Sequence, residues 1–209
     1  MSAKGIDIRE HIDDYFEPLP DGLNRKPYCE NDPSPSFVTL DHLSGVKHRK
    51  NLYIASEMGL KEAFQGLTGD EGMSVKEMAT RVALAMEKNA TSWVLSTAAA
   101  LYWRVKGHAD QAVTCLRHAL KYTPREMKDI PLLSLANILH RAGMYNNALV
   151  VTNMALEISP KFVVIHFTMA NIYVSKVRAK TTTTMFQTNS YETFACFPPR
   201  SPHARTVRL

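Results

Sequence analysis

The clearest pattern along the chain is an apolar stripe at helical spacing that begins just after Ser74. Ser74-Val75-Lys76-Glu77 has the form of a capping box, in which a Ser hydroxyl and a Glu carboxylate satisfy free backbone N–H groups at a helix start. Apolar residues then recur every three or four positions as far as Met86, which is typical of one buried helix face. The pattern predicts a leading helix over residues 74–88.

Two segments after this helix repeat each other. GHADQAVTCLRHALKYTP (107–124) and GMYNNALVVTNMALEISP (143–160) share five residues at one offset of 36. Upstream of each, SLANILH (134–140) recurs as TMANIYV (168–174) at an offset of 34, which is the period of a tetratricopeptide repeat. The period predicts antiparallel helix pairs stacked into an α-solenoid, with repeat one over 93–126, repeat two over 129–162 and the first helix of repeat three over 163–176.

The residue types at the repeated positions fit paired helices. Small side chains allow two helix backbones to approach, glycine ends the first helix in a left-handed conformation, and proline stops the second helix. The structural repeat positions are Gly107, Ala112, Ala119, Pro124, Gly143, Ala148, Ala155 and Pro160.

The regions on either side of the repeats lack this pattern. Residues 1–73 predict a mostly irregular segment with short helices, in which the Pro-rich stretch 18–36 is interpreted as a linker. The third repeat stops after its first helix, because Val177 replaces the expected glycine, and the Thr/Ser/Pro-rich residues 178–209 predict a disordered basic tail. Without a partner helix, the face holding Met169, Ile172 and Tyr173 is expected to be uncovered, which favours marginal stability or self-association. The fold class is therefore all-α.

Charge and hydropathy narrow the function. The net charge is +5, but residues 161–209 hold seven Lys/Arg against Glu192 alone, so the basicity belongs to the tail and not to the repeats. This distribution weakens the hypothesis of a nucleic-acid-binding domain. Because no apolar run is long enough for a membrane span and residues 1–16 carry acids where a signal peptide is apolar, a cytoplasmic location is expected.

Candidate chemistry is sparse. The three cysteines form no C-x-x-C pair, so free thiols are expected, with neither a disulfide framework nor a zinc site. Asn89-Ala90-Thr91 matches the N-glycosylation sequon, but it lies at an expected helix start and is attributed to chance. His118 and His140 are expected on the surface or in a groove, and no phosphate-binding or nucleophile motif is present. We therefore predict that the chain is not an enzyme and that it needs neither a cofactor nor a metal.

The first helices of stacked repeats commonly line a concave groove that binds other proteins. Asn137 and Asn171 occupy equivalent positions, and amides there could bond the backbone of an extended peptide, while the alternative is that they bond neighbouring helices. Arginine would favour an acidic ligand. The predicted groove residues are Arg104, Asn137, His140, Arg141, Phe167 and Asn171.

Five segments carry a more specific resemblance, and they include stretches outside the repeats. They are KGIDIREHID (4–13), TLDHLSGV (39–46), NATSWVLS (89–96), ALYWRVKG (100–107) and MKDIPLLSLANILH (127–140). They resemble the C-terminal repeat region of the tetratricopeptide repeat protein 17 family, from about residue 4 to 175, and the sequence after Ser175 departs from that family. The resemblance implies a cytoplasmic scaffold without catalytic residues that promotes actin polymerisation and primary cilium formation at the cytoskeleton and the cell membrane.

Two other functions stay open. Repeats that bind chaperones clamp a carboxylate with Lys and Arg on successive first helices, but the corresponding positions here are Thr97, Leu101, Val164 and Thr168. A chaperone adaptor is therefore disfavoured. Binding to a membrane surface or to nucleic acid rests on the basic tail alone. Protein partners, actin-regulatory or ciliary, are the leading expectation.

Overall fold

Helices make up all the regular structure in the part of the chain that a computed structural model describes, which is residues 4–13, 15, 17–20, 22–29, 33–66 and 73–192. The chain divides into two compact units, residues 1–172 and 173–209. Short 3-10 turns cover Ile8–His11, Arg49–Asn51 and Arg125–Met127. The helices are α1 (Ser44–Lys47), α2 (Met58–Gly66), α3 (Val75–Lys88), α4 (Trp93–Lys106), α5 (Ala109–Tyr122), α6 (Asp129–Arg141), α7 (Tyr145–Ile158) and α8 (Val163–Glu192).

The leading helix α3 begins where the capping pattern predicts. The Ser74 hydroxyl accepts a hydrogen bond from the backbone N–H of Glu77 at 3.1 Å. The Glu77 carboxylate pairs with Arg81, one turn further on, at 3.2 Å. Met78 and Val82 of the apolar stripe are fully buried. The Ser74 cap is thus confirmed, while Glu77 serves an i,i+4 ion pair.

Two helical hairpins form the body of the first unit. Helix α4 packs on α5 and α6 packs on α7, and contacts between α5 and α6 stack one hairpin on the other. The four repeated alanines have no exposed surface, so the two helices of each hairpin approach closely at these positions. The predicted all-helical repeat fold is confirmed. The four residues are Ala112, Ala119, Ala148 and Ala155.

Gly107 and Gly143 both adopt the left-handed conformation, with φ of 77° and 74°. Their surroundings differ, however. A Cβ atom at Gly107 would lie 3.2 Å from the carbonyl oxygen of Ile54 and from the backbone nitrogen of Ser56, whereas a Cβ at Gly143 would meet nothing within 4 Å. Gly107 therefore ends α4 and also leaves room for residues 54–56.

The irregular N-terminal segment lies against the helical hairpins. Lys4 forms an ion pair with the buried carboxylate of Asp129 at 2.6 Å. The indole N–H of Trp103 donates to the carbonyl of Pro27 at 3.0 Å, so the stretch interpreted as a linker is in contact with α4. The apolar side chains that the segment buries are Ile8, Ile12, Tyr15, Leu40, Leu43, Val46 and Ile54.

Polar side chains hold this segment to the second helix of each hairpin. Arg117 of α5 is buried and pairs with Asp41 at 2.9 Å. The Asn147 side-chain oxygen on α7 accepts hydrogen bonds from the Ser44 hydroxyl at 2.9 Å and the Gly45 N–H at 2.8 Å. These contacts place α1 against the repeats.

Cys29 and Cys115 form a disulfide that joins the N-terminal segment to α5. Their Cα atoms are 5.3 Å apart although 86 residues separate them in the sequence. The expectation of free thiols is therefore wrong for these two residues, because spacing along the chain does not reveal proximity in the fold. A cross-link that closes a loop of this length stabilises a fold by about 4.6 kcal/mol in the chain-entropy account.

Helix α8 continues past Lys176 to Glu192 and thus enters the tail that the sequence predicts to be disordered. The residues from 163 to 192 include no glycine or proline to end the helix. Residues 193–209 lie outside the described part of the chain. Ile172 is fully buried, so the expectation of an uncovered face is wrong for this residue, while Met169 is half-buried and Tyr173 is exposed. None of the described helices is long and apolar enough to cross a bilayer.

Alanine substitutions at the two glycines provide a matched test of the Gly107 contact. Gly143→Ala is expected to lower the free energy of unfolding by about 1 kcal/mol, because an L side chain is strained at positive φ. Gly107→Ala is expected to cost more, since its methyl group would also press on residues 54–56. Urea unfolding measures both values, and equal losses would contradict the contact.

Candidate protein-binding site

Arg104, in the last turn of α4, is only 6% exposed and its guanidinium is held within the chain. Its Nε and Nη2 groups donate to the two oxygens of Glu57 at 2.9 and 2.8 Å. Its Nη1 group donates to the Ser134 hydroxyl on α6 at 2.9 Å. This two-pronged geometry is the strongest form of arginine–carboxylate contact. Arg104 is therefore not an open wall of the groove.

Arg141, in the last turn of α6, reaches the same carboxylate from the other side. Its Nε atom lies 3.6 Å from Glu57 Oε1, and its Nη2 group donates to the carbonyl of Ala55 at 3.1 Å. The Arg141 side chain is 38% exposed. We call Glu57, Arg104 and Arg141 the Glu57 clasp.

Residues 52–57 run across the C-terminal ends of α4 and α6, and we call them the occupying segment. The N–H of Glu57 donates to the carbonyl of Arg104 at 3.3 Å, so main-chain atoms contribute as well as the clasp. Ile54 is 2% exposed, whereas Tyr53 is 82% exposed. The chain therefore fills this end of its own predicted groove with an extended segment that buries one apolar side chain and one carboxylate.

The other predicted groove residues lie on α6 and α8. The Asn137 amide donates to the Leu133 carbonyl of its own helix at 3.1 Å, which is neither of the two roles expected for it. His140 is half-buried, and burial followed by the charge of Arg141 lowers its pKa. Phe167 is 66% exposed and Asn171 is exposed. The clasp joins Arg104 and Arg141, and the other four residues remain candidates for contact with a partner.

His118 is buried, contrary to the expectation of a surface or groove position. Its Nδ1 atom lies 2.9 Å from the Ser96 hydroxyl, and its ring lies 4.9 Å from that of Tyr122. Two causes lower the pKa of His118, of which burial is the larger and the nearby charge of Lys121 is the smaller. The side chain joins α5 to α4 and is inaccessible to a partner.

None of the four carboxylate-clamp positions carries a Lys or Arg side chain. Thr97 and Thr168 are buried, Leu101 is half-buried, and Val164 is exposed. Within the described residues, no group of three or more His, Cys, Asp and Glu side chains could hold a metal ion.

Sequence reasoning missed Glu57, which is central to the site. A single Glu just before a short helix is usually read as favourable charge at a helix N-terminus, and no periodic pattern marks it as a ligand of two arginines. The nearest signal in the sequence was the pair Arg104 and Arg141 at the ends of successive first helices. A buried arginine requires an acidic side chain close to it.

Comparison with known proteins supports the repeat assignment. The chain is 50% identical over 177 residues to tetratricopeptide repeat protein 17 of Rattus norvegicus and 49% identical to that of Homo sapiens, and the aligned part is 84% of this chain. The Danio rerio protein of the same name is 50% identical over the same length. The chain spans about 15% of the length of these relatives. No protein-family model and no solved structure matches the chain.

Substitution of Glu57 by Gln tests the clasp. It leaves the buried Arg104 guanidinium without a carboxylate, so the free energy of unfolding is expected to fall by about 3 kcal/mol. Glu62→Gln, at an exposed position on α2, is the matched control and is expected to change it by less than about 0.5 kcal/mol. Urea unfolding of both variants measures the difference, and a neutral Glu57→Gln would rule out a stabilising clasp.

The buried His118 predicts a dependence of stability on pH. Because the folded state lowers its pKa below 6.5, the unfolded chain binds the proton more readily. Stability is expected to be retained above about pH 6.5 and to fall as the pH decreases, by up to about 1.4 kcal/mol per pH unit for this group. His118→Gln should reduce the slope of the unfolding free energy measured between pH 7 and 5, and a slope equal to that of the wild type would contradict this role.

Proposed function

We propose, from the premise that this chain is a tetratricopeptide repeat protein 17-like protein, that its helical hairpins bind an extended segment of a protein partner. Chains of this repeat type are protein-interaction scaffolds, and the coarse function follows from that type. The finer proposal places the partner along α6 and α8, beside the Glu57 clasp. The contacting residues would be Asn137, His140, Arg141, Phe167 and Asn171.

The single observation that supports this proposal is the occupying segment. An extended stretch of the chain lies across α4 and α6, where it is held by one main-chain hydrogen bond, one arginine bond to a main-chain carbonyl, one buried apolar side chain and a carboxylate between two arginines. These are the interactions by which grooves commonly hold extended peptides. A partner segment could continue from it along α6 towards α8.

The chemistry of the open residues indicates the character of the partner. The side chain of Arg141 is 38% exposed beside the clasp, and its positive charge would favour an acidic group. Phe167 offers an exposed apolar surface, which suits an aromatic or aliphatic anchor. The exposed Asn171 amide can both donate to and accept from a peptide backbone.

Participation in actin polymerisation and primary cilium assembly, in the cytoplasm at the cytoskeleton and the cell membrane, is the second candidate. The chain is 50% identical to a protein of the family whose resemblance implies these roles, and this identity favours the second candidate. The Cys29–Cys115 disulfide weighs against it, because the cytosol keeps most thiols reduced. Assembly of purified actin, with and without the chain, tests this role directly.

Affinity capture with a groove variant tests the leading proposal. The variant carries Asn137→Ala, Arg141→Glu and Asn171→Ala, and we expect it to lose about tenfold or more in affinity for a protein that the wild-type chain captures. The matched control carries Lys121→Glu, Asn146→Ala and Asn153→Ala, at exposed positions on α5 and α7, and should retain that protein. Circular dichroism must show that both variants remain folded.

Equal capture by the groove variant, the control and the wild type would contradict the groove. If deletion of residues 176–209 abolished capture while the groove variant retained it, binding would belong to the basic tail instead. Binding to immobilised C-terminal peptides of chaperones would favour the adaptor alternative.

A further inference from the structure

The chain contains one N-glycosylation sequon, Asn89-Ala90-Thr91, which the binding function does not use. Asn89 follows the last residue of α3 and has φ of −132° and ψ of 77°, outside the helical region. Both Asn89 and Thr91 are exposed, in the turn that leads into α4. The sequon therefore lies in a surface turn between two helices, where an acceptor is accessible.

The turn presents the acceptor amide in a defined position. The N–H of Asn89 donates to the Ala85 carbonyl at 2.9 Å, and the N–H of Ser92 donates to the Asn89 carbonyl at 3.2 Å. The Thr91 hydroxyl donates to the Asn89 side-chain oxygen at 3.4 Å, so the amide nitrogen takes no part in this hydrogen bond. Modification of this nitrogen would disturb neither the core nor the helix ends.

A second, independent observation concerns the compartment in which the chain folds. The Cys29–Cys115 disulfide forms and persists in an oxidising compartment, such as the lumen of the endoplasmic reticulum. N-linked glycans belong to proteins that pass through the same secretory route. Cys29 and Ala90 also line one cavity of about 280 Å³, so the disulfide and the sequon lie in the same region of the fold.

We propose that Asn89 is an N-glycosylation site and that the chain folds in the oxidising lumen of the secretory pathway. The co-reactant is an oligosaccharide carried on a polyprenyl diphosphate. The side-chain nitrogen of Asn89 forms a bond to the anomeric carbon of the first sugar, the bond from that carbon to the diphosphate oxygen breaks, and the nitrogen releases one proton to solvent. The polyprenyl diphosphate leaves with the bonding electron pair, so no oxidant or reductant is consumed.

This inference is independent of the binding groove. It rests on the turn between α3 and α4 and on the disulfide, whereas the Glu57 clasp lies at the C-terminal ends of α4 and α6. Loss of the glycan is therefore expected to leave partner capture unchanged, and failure of the groove test has no bearing on Asn89.

The decisive experiment uses the protein as its own cells produce it, extracted with a thiol-blocking reagent. Digestion with a peptide N-glycosidase is expected to increase its electrophoretic mobility and to convert residue 89 from Asn to Asp in the peptide mass spectrum. A non-reducing peptide map is expected to contain the Cys29 peptide linked to the Cys115 peptide. Recovery of unmodified Asn89 without the enzyme overturns the glycosylation site, and blocked Cys29 and Cys115 thiols overturn the lumenal assignment.

Variants assign the modification to this sequon. Expressed in cultured cells behind a cleavable signal peptide, Asn89→Gln and Thr91→Ala are expected to abolish the mobility change, while Thr91→Ser retains it because serine also completes the sequon. All three should unfold at nearly the wild-type midpoint, since their side chains are exposed. Persistence of the mobility change in Asn89→Gln would contradict the assignment.

Discussion

The close approach of paired helices at buried alanines is the constraint on which the rest of this structure depends. Ala112 and Ala119 in one hairpin, and Ala148 and Ala155 in the next, have no exposed surface and allow the backbones to pack closely. Larger side chains would separate the helices and move the ends of α4 and α6 apart. The positions of Arg104 and Arg141 relative to each other are set by this packing.

The N-terminal segment turns two helical hairpins into a larger core. The hairpins alone would expose apolar surface, because stacked repeats bury a continuous face only against a neighbour. Ile8, Leu40 and Ile54 cover part of that apolar surface. The Lys4–Asp129 and Asp41–Arg117 ion pairs neutralise buried charges on the repeats. The same segment occupies one end of the groove, so the surface available to a partner is smaller than that of bare repeats.

The disulfide links architecture to the cellular environment. It ties the irregular segment to α5. A scaffold stabilised in this way requires oxidising conditions to reach its full stability. The exposed sequon lies beside the cavity that Cys29 lines, and N-glycosylation also belongs to an oxidising compartment. The partners of the groove would then be proteins of that compartment.

The sequence by itself determined the local features. Ser74 as a helix cap, the left-handed glycines 107 and 143, the alanine spacing and the all-helical repeat fold all follow from interactions within a few turns of one another. The candidate groove was predictable only in part, since the register of α6 and α8 gives Asn137, Phe167 and Asn171 but says nothing about what covers their neighbours.

Only the tertiary structure decided the rest. It brought Glu57 to Arg104 and Arg141, Cys29 to Cys115, and His118 to Ser96, and each of these contacts joins residues far apart in the sequence or on different helices. Periodicity does not reveal the pairs that involve Glu57 and Cys29, because these two residues belong to an irregular segment that has no repeating geometry. Its path is fixed by the apolar side chains it buries and by the charges it must neutralise, and both exist only once the helices have packed.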